Sequence, residues 1–295
     1  MDRSRCVSLL SGRSALRWPN LFLVGVAKAG TSSLADYLAQ HPDIFMSPVK
    51  EPHFFSDAWP RLQPPVRGEA EYHRLFSGAT GERLLGEASV SYFWDQRSAT
   101  AIKHVSPQAK IIVILREPIQ RAYSHYWHSF KNGLETRSFV EAVTDELSRH
   151  YLSSNEPYLH RSLYADGLRR YLELFGDGVL VLFFEEMTRD VRAQMRKVFL
   201  FLAVSPSEAE CLHTAERNAF ALPRNRVAAT LTHSPRARRL VRAFVPVQAR
   251  AGIERALLKE HDKPPIDRQA IELIDGFFDS DRSELEYLLE RRAPW

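Results

Sequence analysis

Cysteine is scarce in this chain: Cys6 and Cys211 are the only two in 295 residues. That argues against a disulfide framework or a Cys-rich metal centre and for a reducing, cytoplasmic setting. No apolar run approaches the ~20 residues that cross a bilayer, so no membrane span is expected. Long Lys/Arg runs are missing too, although the net charge is +4 and the pI about 9.1. A mild excess of base without runs favours small anionic ligands and gives no sign of a nucleic-acid partner. Internal repeats and low-complexity tracts are absent. What remains is an ordinary globular composition, 44% hydrophobic and 26% charged. Residues 1–19, with Arg3, Arg5, Arg13 and Arg17, are expected to form a poorly ordered basic leader. A transit peptide has similar composition. A single domain is expected over residues 20–295.

The chain organises itself around Leu21 to Pro42, LFLVGVAKAGTSSLADYLAQHP. Leu21 to Val26 is an apolar run suited to a buried parallel strand. Leu34, Tyr37 and Leu38 mark one face of a helix that His41-Pro42 ends. Between them lies a Gly-rich turn. A strand, such a turn and a helix N-terminus make an anion cradle, because free backbone N–H groups and the helix dipole point at one place. Gly25 and Gly30 have the spacing of the glycines in G-x-x-x-x-G-K-[ST], but Thr31 stands where its Lys belongs. Lys28, inside the loop, is the cation it offers.

Downstream, Ile44 to Met46 reads as a short strand, and the prolines of Ser47-Pro48 and Glu51-Pro52 force turn or extended backbone. A loop exposing Lys50, Glu51 and His53 above buried Phe54 and Phe55 is expected. Trp59 to Gly68 is Pro-rich and irregular. Glu71 to Phe76, Gln96 to Val105, Phe139 to Leu147, Tyr164 to Leu174 and Asp190 to Leu202 read as helices, the last with Asp190 as N-cap. Leu84 to Phe93 is a strand running into a loop. Lys110 to Leu115, KIIVIL, is the strongest strand pattern, and Val179 to Phe184 another. Pro118 suits the first turn of a helix through Trp127. Ile271 to Leu289 is amphipathic, broken at Gly276 and recapped at Ser280 or Asp281. Alternating strands and helices predict an α/β fold: a P-loop-like three-layer architecture with a central, mostly parallel sheet flanked by helices. Ligands of such sheets sit beyond the carboxyl ends of the strands. Lys28, Glu87, Ser89 and Arg116 all fall there.

A Mg-dependent kinase would carry a Lys-Ser/Thr pair at the helix start and a metal-holding Asp after a neighbouring strand. Here the best strand ends in Arg116, which binds anions. Two anionic groups are therefore expected, one at Lys28 and one at Arg116. Ser124, about two turns into the following helix, is placed to share the second.

Together these segments resemble a family. VGVAKAGTSSL is similar to the 5′-phosphosulfate-binding loop of sulfotransferases that use 3′-phosphoadenosine 5′-phosphosulfate (PAPS), and IIVILREPIQRAYSHY to their 3′-phosphate-binding segment. EPHFF resembles the heparan-sulfate 3-O- and N-sulfotransferase branch, and ELEYLLERRAPW the tail of many bacterial members. The resemblance implies that Lys28 holds the bridging oxygen while Ala29, Gly30, Thr31 and Ser32 hold the 5′-phosphate. It also implies that Arg116 and Ser124 bind the 3′-phosphate, that Glu51 is the catalytic base, and that His53 lines the acceptor site or assists Glu51, so that Lys28, Glu51 and His53 are the expected catalytic residues. A basic loop around Arg224 would close on the cosubstrate, and no metal would be required. Two departures stand out. The Asp that follows HFF in the 3-O branch is replaced by Ser56, with Asp57 next. Its E-K-T/S-P-x-Y-F segment reads GEASVSYF, with Ala88 and Val90 for Lys and Pro. The acceptor is thus expected to be a glycan or another hydroxylated metabolite, with O- against N-transfer open. The alternatives are a Mg-dependent P-loop small-molecule kinase and a non-catalytic nucleotide- or polyanion-binding protein. Arg236, Arg238, Arg239 and Arg242 form either a polyanion patch or a solvated helix face.

Overall fold

The strand-forming runs are apolar without alternation, as strands covered on both faces must be. In the computed structural model, which describes residues 17–57, 66–148, 157–214, 221–223, 258–260 and 263–295, they form one five-stranded parallel sheet. Its strands are β1 (Leu21–Gly25), β2 (Ile44–Met46), β3 (Leu84–Ala88), β4 (Lys110–Leu115) and β5 (Val179–Phe183). Their order is β2-β3-β1-β4-β5. Leu21 to Val24 and Ile111 to Val113 are fully buried. Each such side chain contributes about 1.5–3 kcal/mol of hydrophobic stabilisation.

Helices cover both faces: α1 (Thr31–Leu38), α2 (Glu69–Arg74), α3 (Ser98–Val105), α4 (Pro118–Lys131), α5 (Phe139–Ser148), α6 (Ala165–Phe175), α7 (Phe184–Arg189), α8 (Val191–Phe201), α9 (Arg268–Ile274) and α10 (Asp279–Leu289). A separate antiparallel pair joins β6 (Ala221–Pro223) to β7 (Leu258–Glu260). Among the described residues no helix is long and apolar enough to cross a membrane. The chain leaves β1 towards the β2 side and leaves β4 towards the β5 side. Their adjacent carboxyl ends therefore open a crevice between diverging connections.

Local chemistry explains most boundaries. Pro118 opens α4, and the Glu117 carboxylate caps it by accepting from the amides of Ile119 (3.0 Å) and Gln120 (2.6 Å). Asp190 caps α8, accepting from Ala193 N at 2.9 Å. Gly276, at φ 73°, separates α9 from α10. The expected recapping of α10 by Asp281 does not occur. That carboxylate instead accepts from Tyr164 N (2.7 Å) and Ala165 N (2.9 Å), closing the start of α6. A buried helix start with orphan amides is a stronger demand than a solvated one. Trp18, placed in the leader by its sequence, packs on Phe54, Phe55, Tyr72 and His73 with ring centroids 4.5–6.1 Å away. The Pro-rich stretch 58–65 and the Arg236–Arg242 cluster lie outside the described residues.

Candidate active site

The turn after β1 is shaped by backbone geometry before any ligand is considered. Lys28 has φ 73° and Gly30 φ 89°. A Cβ on Gly25 would sit 2.8 Å from Phe93 Cβ, and one on Gly30 3.0 Å from the Phe184 ring. The two glycines answer to close packing and to a left-handed φ. Ala29 N closes the turn on Val26 O at 3.2 Å, and Val26 N is tied to Ile114 O at 2.8 Å. The first bond of α1 runs from Leu34 N to Gly30 O at 3.1 Å. The amides of Gly30, Thr31, Ser32 and Ser33 therefore precede the helical ladder and are available to face an anion. The amide of Ala29, which the resemblance also assigns to phosphate, is used inside the loop.

Arg116, at the end of β4, crosses to this turn. Its Nη1 donates to Lys28 O at 3.0 Å, and its guanidinium lies 4.5 Å from the centroid of the Phe184 ring. Its Nε is buried without a hydrogen-bond partner. Pairing with Glu117 or Glu87 is not what holds it: the first caps α4 and the second is occupied elsewhere. Ser124 stands half-buried on α4.

A further cation arrives from a part of the chain no motif marked. Tyr123 OH donates to Pro264 O (3.0 Å), fixing the segment before α9 across α4. Lys263 Nζ lies 5.9 Å from the Tyr123 ring centroid. Burial, then the charges of Lys131, Lys263 and Arg116, push Lys28 down to about 8. Burial, then Arg116, push Lys263 down to about 8 as well. Among the described residues neither Lys28, Lys263 nor Arg116 forms an ion pair with a carboxylate. Glu185 and Glu117 offset the burial of Arg116 in part, whereas no carboxylate offsets that of Lys28 or Lys263, and positive charge held this way suits a multiply charged anion.

The loop carrying Glu51 and His53 is knitted to the end of β3. Glu51 N donates to Ala88 O at 2.8 Å, and Val90 N donates to Glu51 Oε2 at 2.8 Å. Lys50 Nζ contacts Glu51 Oε1. The expectation of an exposed His53 above buried phenylalanines is reversed. His53 has no exposed surface, while Phe54 and Phe55 are half-buried. The reason is hydrogen bonding: His53 N donates to Ser89 Oγ (3.1 Å), and its Nδ1 lies 2.7 Å from Ser91 Oγ. Nε2 faces Glu51 Oε2 at 3.8 Å. Burial depresses the imidazole pKa against the opposing pull of Glu51, which keeps the ring neutral. Ser56, standing where the 3-O branch has its Asp, donates to the buried Asp95 at 2.9 Å. Arg224 lies outside the described residues.

The sulfotransferase domain family matches residues 19–286. Heparan sulfate glucosamine 3-O-sulfotransferase 3B1 of Mus musculus is 28% identical over 198 residues, 67% of this chain and 49% of that protein. Carbohydrate sulfotransferase 15 of Mus musculus is 27% identical over 247 residues, 64% of this chain and 44% of that protein. The chain thus spans about half the length of these curated relatives. A crystal structure of a sulfotransferase from Alicyclobacillus acidocaldarius superposes with a TM-score of 0.70 at 33% identity, covering 94% of this chain and 97% of that one. The kinase alternative is not favoured: β4 runs into Arg116, and the matched family transfers sulfuryl groups.

Proposed function

The chain belongs to the sulfotransferase family, and we propose that its donor is PAPS and its acceptor the hydroxyl or amine of a glycan or other hydroxylated metabolite. The observation that carries the donor assignment is the pairing of Lys28 and Arg116 across the carboxyl ends of β1 and β4, joined by the bond from Arg116 Nη1 to Lys28 O, with the charge of Lys263 acting on both. A nucleotide bearing both a 3′-phosphate and a 5′-phosphosulfate supplies the separated negative charges such a cluster lacks.

In this reading the amides of Gly30, Thr31 and Ser32, with the Thr31 and Ser32 hydroxyls, hold the 5′-phosphate. Arg116, through its unpartnered Nε, and Ser124 hold the 3′-phosphate. Lys263, whose charge acts on Lys28 and is acted on by Arg116, adds to the positive charge of the site. Lys28 places its ammonium on the oxygen bridging sulfur and phosphorus. Glu51 takes the acceptor proton on Oε1 once the acceptor displaces Lys50, while Val90 N keeps Oε2 oriented. The acceptor oxygen or nitrogen forms the new bond to sulfur. The bond from sulfur to the bridging oxygen breaks, and its electron pair leaves on that oxygen as adenosine 3′,5′-bisphosphate. Lys28 stabilises the charge that develops there. Neutral His53 walls the acceptor side beside Glu51.

Resemblance of the matched relatives to glycan sulfotransferases supports a carbohydrate acceptor; the altered segment at Ala88 and Val90 keeps its identity open. The test is transfer of labelled sulfate from PAPS in EDTA. Label on an acceptor supports the reading. Phosphate transfer from ATP that EDTA abolishes, or bisphosphate binding with no turnover on any acceptor, overturns it.

A further inference from the structure

The most fully enclosed acid beside this site is Glu87, the fourth residue of β3, with 1% of its surface exposed. Among the described residues no cation pairs with it. Three hydroxyls serve it instead: Tyr72 OH (2.8 Å) and Tyr92 OH (2.7 Å) donate to Oε1, and Ser89 Oγ donates to Oε2 at 2.7 Å. A buried carboxyl without a cation is a costly element, and a well-packed apolar residue is the usual stable alternative. Its bonds show what it does in return.

Ser89 has one hydroxyl proton, and Glu87 takes it. The lone pairs of Ser89 are thereby aimed the other way, and one accepts His53 N. That amide lies in a strained turn. Glu51 (φ 62°) and His53 (φ 53°) flank Pro52, both in the left-handed region without being glycine. Such conformations persist only where surrounding structure over-determines them. Here the determinants come from the end of β3 and the turn after it: Ala88 O and Val90 N for Glu51, Ser89 Oγ and Ser91 Oγ for His53. Glu87 anchors that turn to α2 through Tyr72, and to the segment before α3 through Tyr92.

We infer that Glu87 is a positioning residue, acting through Ser89 to hold the Glu51–Pro52–His53 turn where Glu51 meets the acceptor. The inference rests on the reading of Glu51 as base. Burial raises the carboxyl to about 7 against the pull of its three hydroxyl donors, with the Glu51 charge adding to the rise. The titratable groups around it are Tyr72 from α2, Tyr92 from the 3₁₀ turn after β3, Glu51 from the loop, and Tyr171 from α6. Only the ionised form accepts from all three hydroxyls at once, so positioning is complete above neutrality and relaxes as pH falls through that value.

The experiment follows bisphosphate release from PAPS with a mixed pool of desulfated heparan sulfate, chondroitin, glycolipid and hydroxylated small molecules. Glu87→Gln, which imitates the protonated acid, is expected to lower kcat on the order of 10–100-fold with the donor KM unchanged. The rise of wild-type kcat through pH ~7 should vanish in the variant. Ser89→Ala, which breaks the link without touching the carboxyl, should reproduce the kcat loss if Glu87→Gln fails to fold. Wild-type kcat in a folded Glu87→Gln, or in Ser89→Ala, overturns the inference, as does a kcat loss in Glu87→Gln that keeps the wild-type pH profile. An active Glu51→Gln enzyme instead sinks the base assignment itself, and the positioning role falls with it.

Discussion

Raising the pH should loosen the donor site in a calculable way. Lys28 falls from 10.5 to about 8, so its ammonium carries a penalty of about 3 kcal/mol in the ligand-free protein. A bound bisphosphate relieves that penalty, because its phosphates are dianionic above about pH 7 and replace the missing counter-charge. Binding must then draw a proton onto Lys28 whenever the free site has lost it. For one lysine titrating near 8, linkage predicts that the dissociation constant of adenosine 3′,5′-bisphosphate rises about 10-fold between pH ~7 and pH ~9. Lys263 is also pushed down to about 8. If both lysines meet the ligand, the rise approaches about 100-fold, with nearly two protons taken up per molecule bound at the upper pH. Calorimetry in buffers of different ionisation enthalpy reads affinity and proton uptake together. Lys28→Ala and Lys263→Ala should each remove about one proton from the linkage. Affinity independent of pH across this range, with no proton uptake, would refute the claim that these cations are uncompensated and face the donor.

Three further outcomes follow from the geometry. Arg116→Ala should weaken bisphosphate binding by about 10–100-fold in the same titrations, since a charge-assisted contact from a partly desolvated guanidinium is removed; unchanged affinity would contradict its placement. Glu87 is raised from 4.5 to about 7, so the stability it confers is complete in acid and is lost as pH rises through 7; relative to Glu87→Gln, wild-type stability in urea should fall by about 3 kcal/mol between pH ~4.5 and pH ~8, and parallel profiles would count against a buried titrating acid. Asp281→Ala should cost about 1–2 kcal/mol in the same urea titrations, because two amides at the start of α6 lose their acceptor.

The parts of this molecule that were legible in the chain are those governed by local rules. Lys110–Leu115 is a strand over the residues its apolar, β-branched run marks, because a strand covered on both faces has no room for polar alternation. Pro118 and Asp190 announce helix starts by their own backbone and side-chain chemistry. The Gly25–Gly30 turn and Arg116 could be placed at one rim because parallel topology leaves few choices. What was hidden depends on pairs distant in sequence. His53 is buried because two serines after β3 bind it, and a loop has no periodicity to reveal that. Lys263 is held beside α4 with the help of the Tyr123 contact with Pro264, 141 positions away in the chain. Asp281 serves α6, more than a hundred residues upstream. For Glu87 the local partners are Ser89 and Tyr92, two and five residues on, while Tyr72 lies on another element.

The central claim is that a metal-independent sulfuryl transfer runs on this site with Glu51 receiving the acceptor proton. Its most direct measurement is transfer of labelled sulfate from PAPS, in EDTA, to a broad acceptor panel read by mass, with wild type and Glu51→Gln side by side. Wild type should give products heavier by one sulfuryl group, and Glu51→Gln none while still binding adenosine 3′,5′-bisphosphate as tightly. A Glu51→Gln protein that transfers at the wild-type rate would contradict the account.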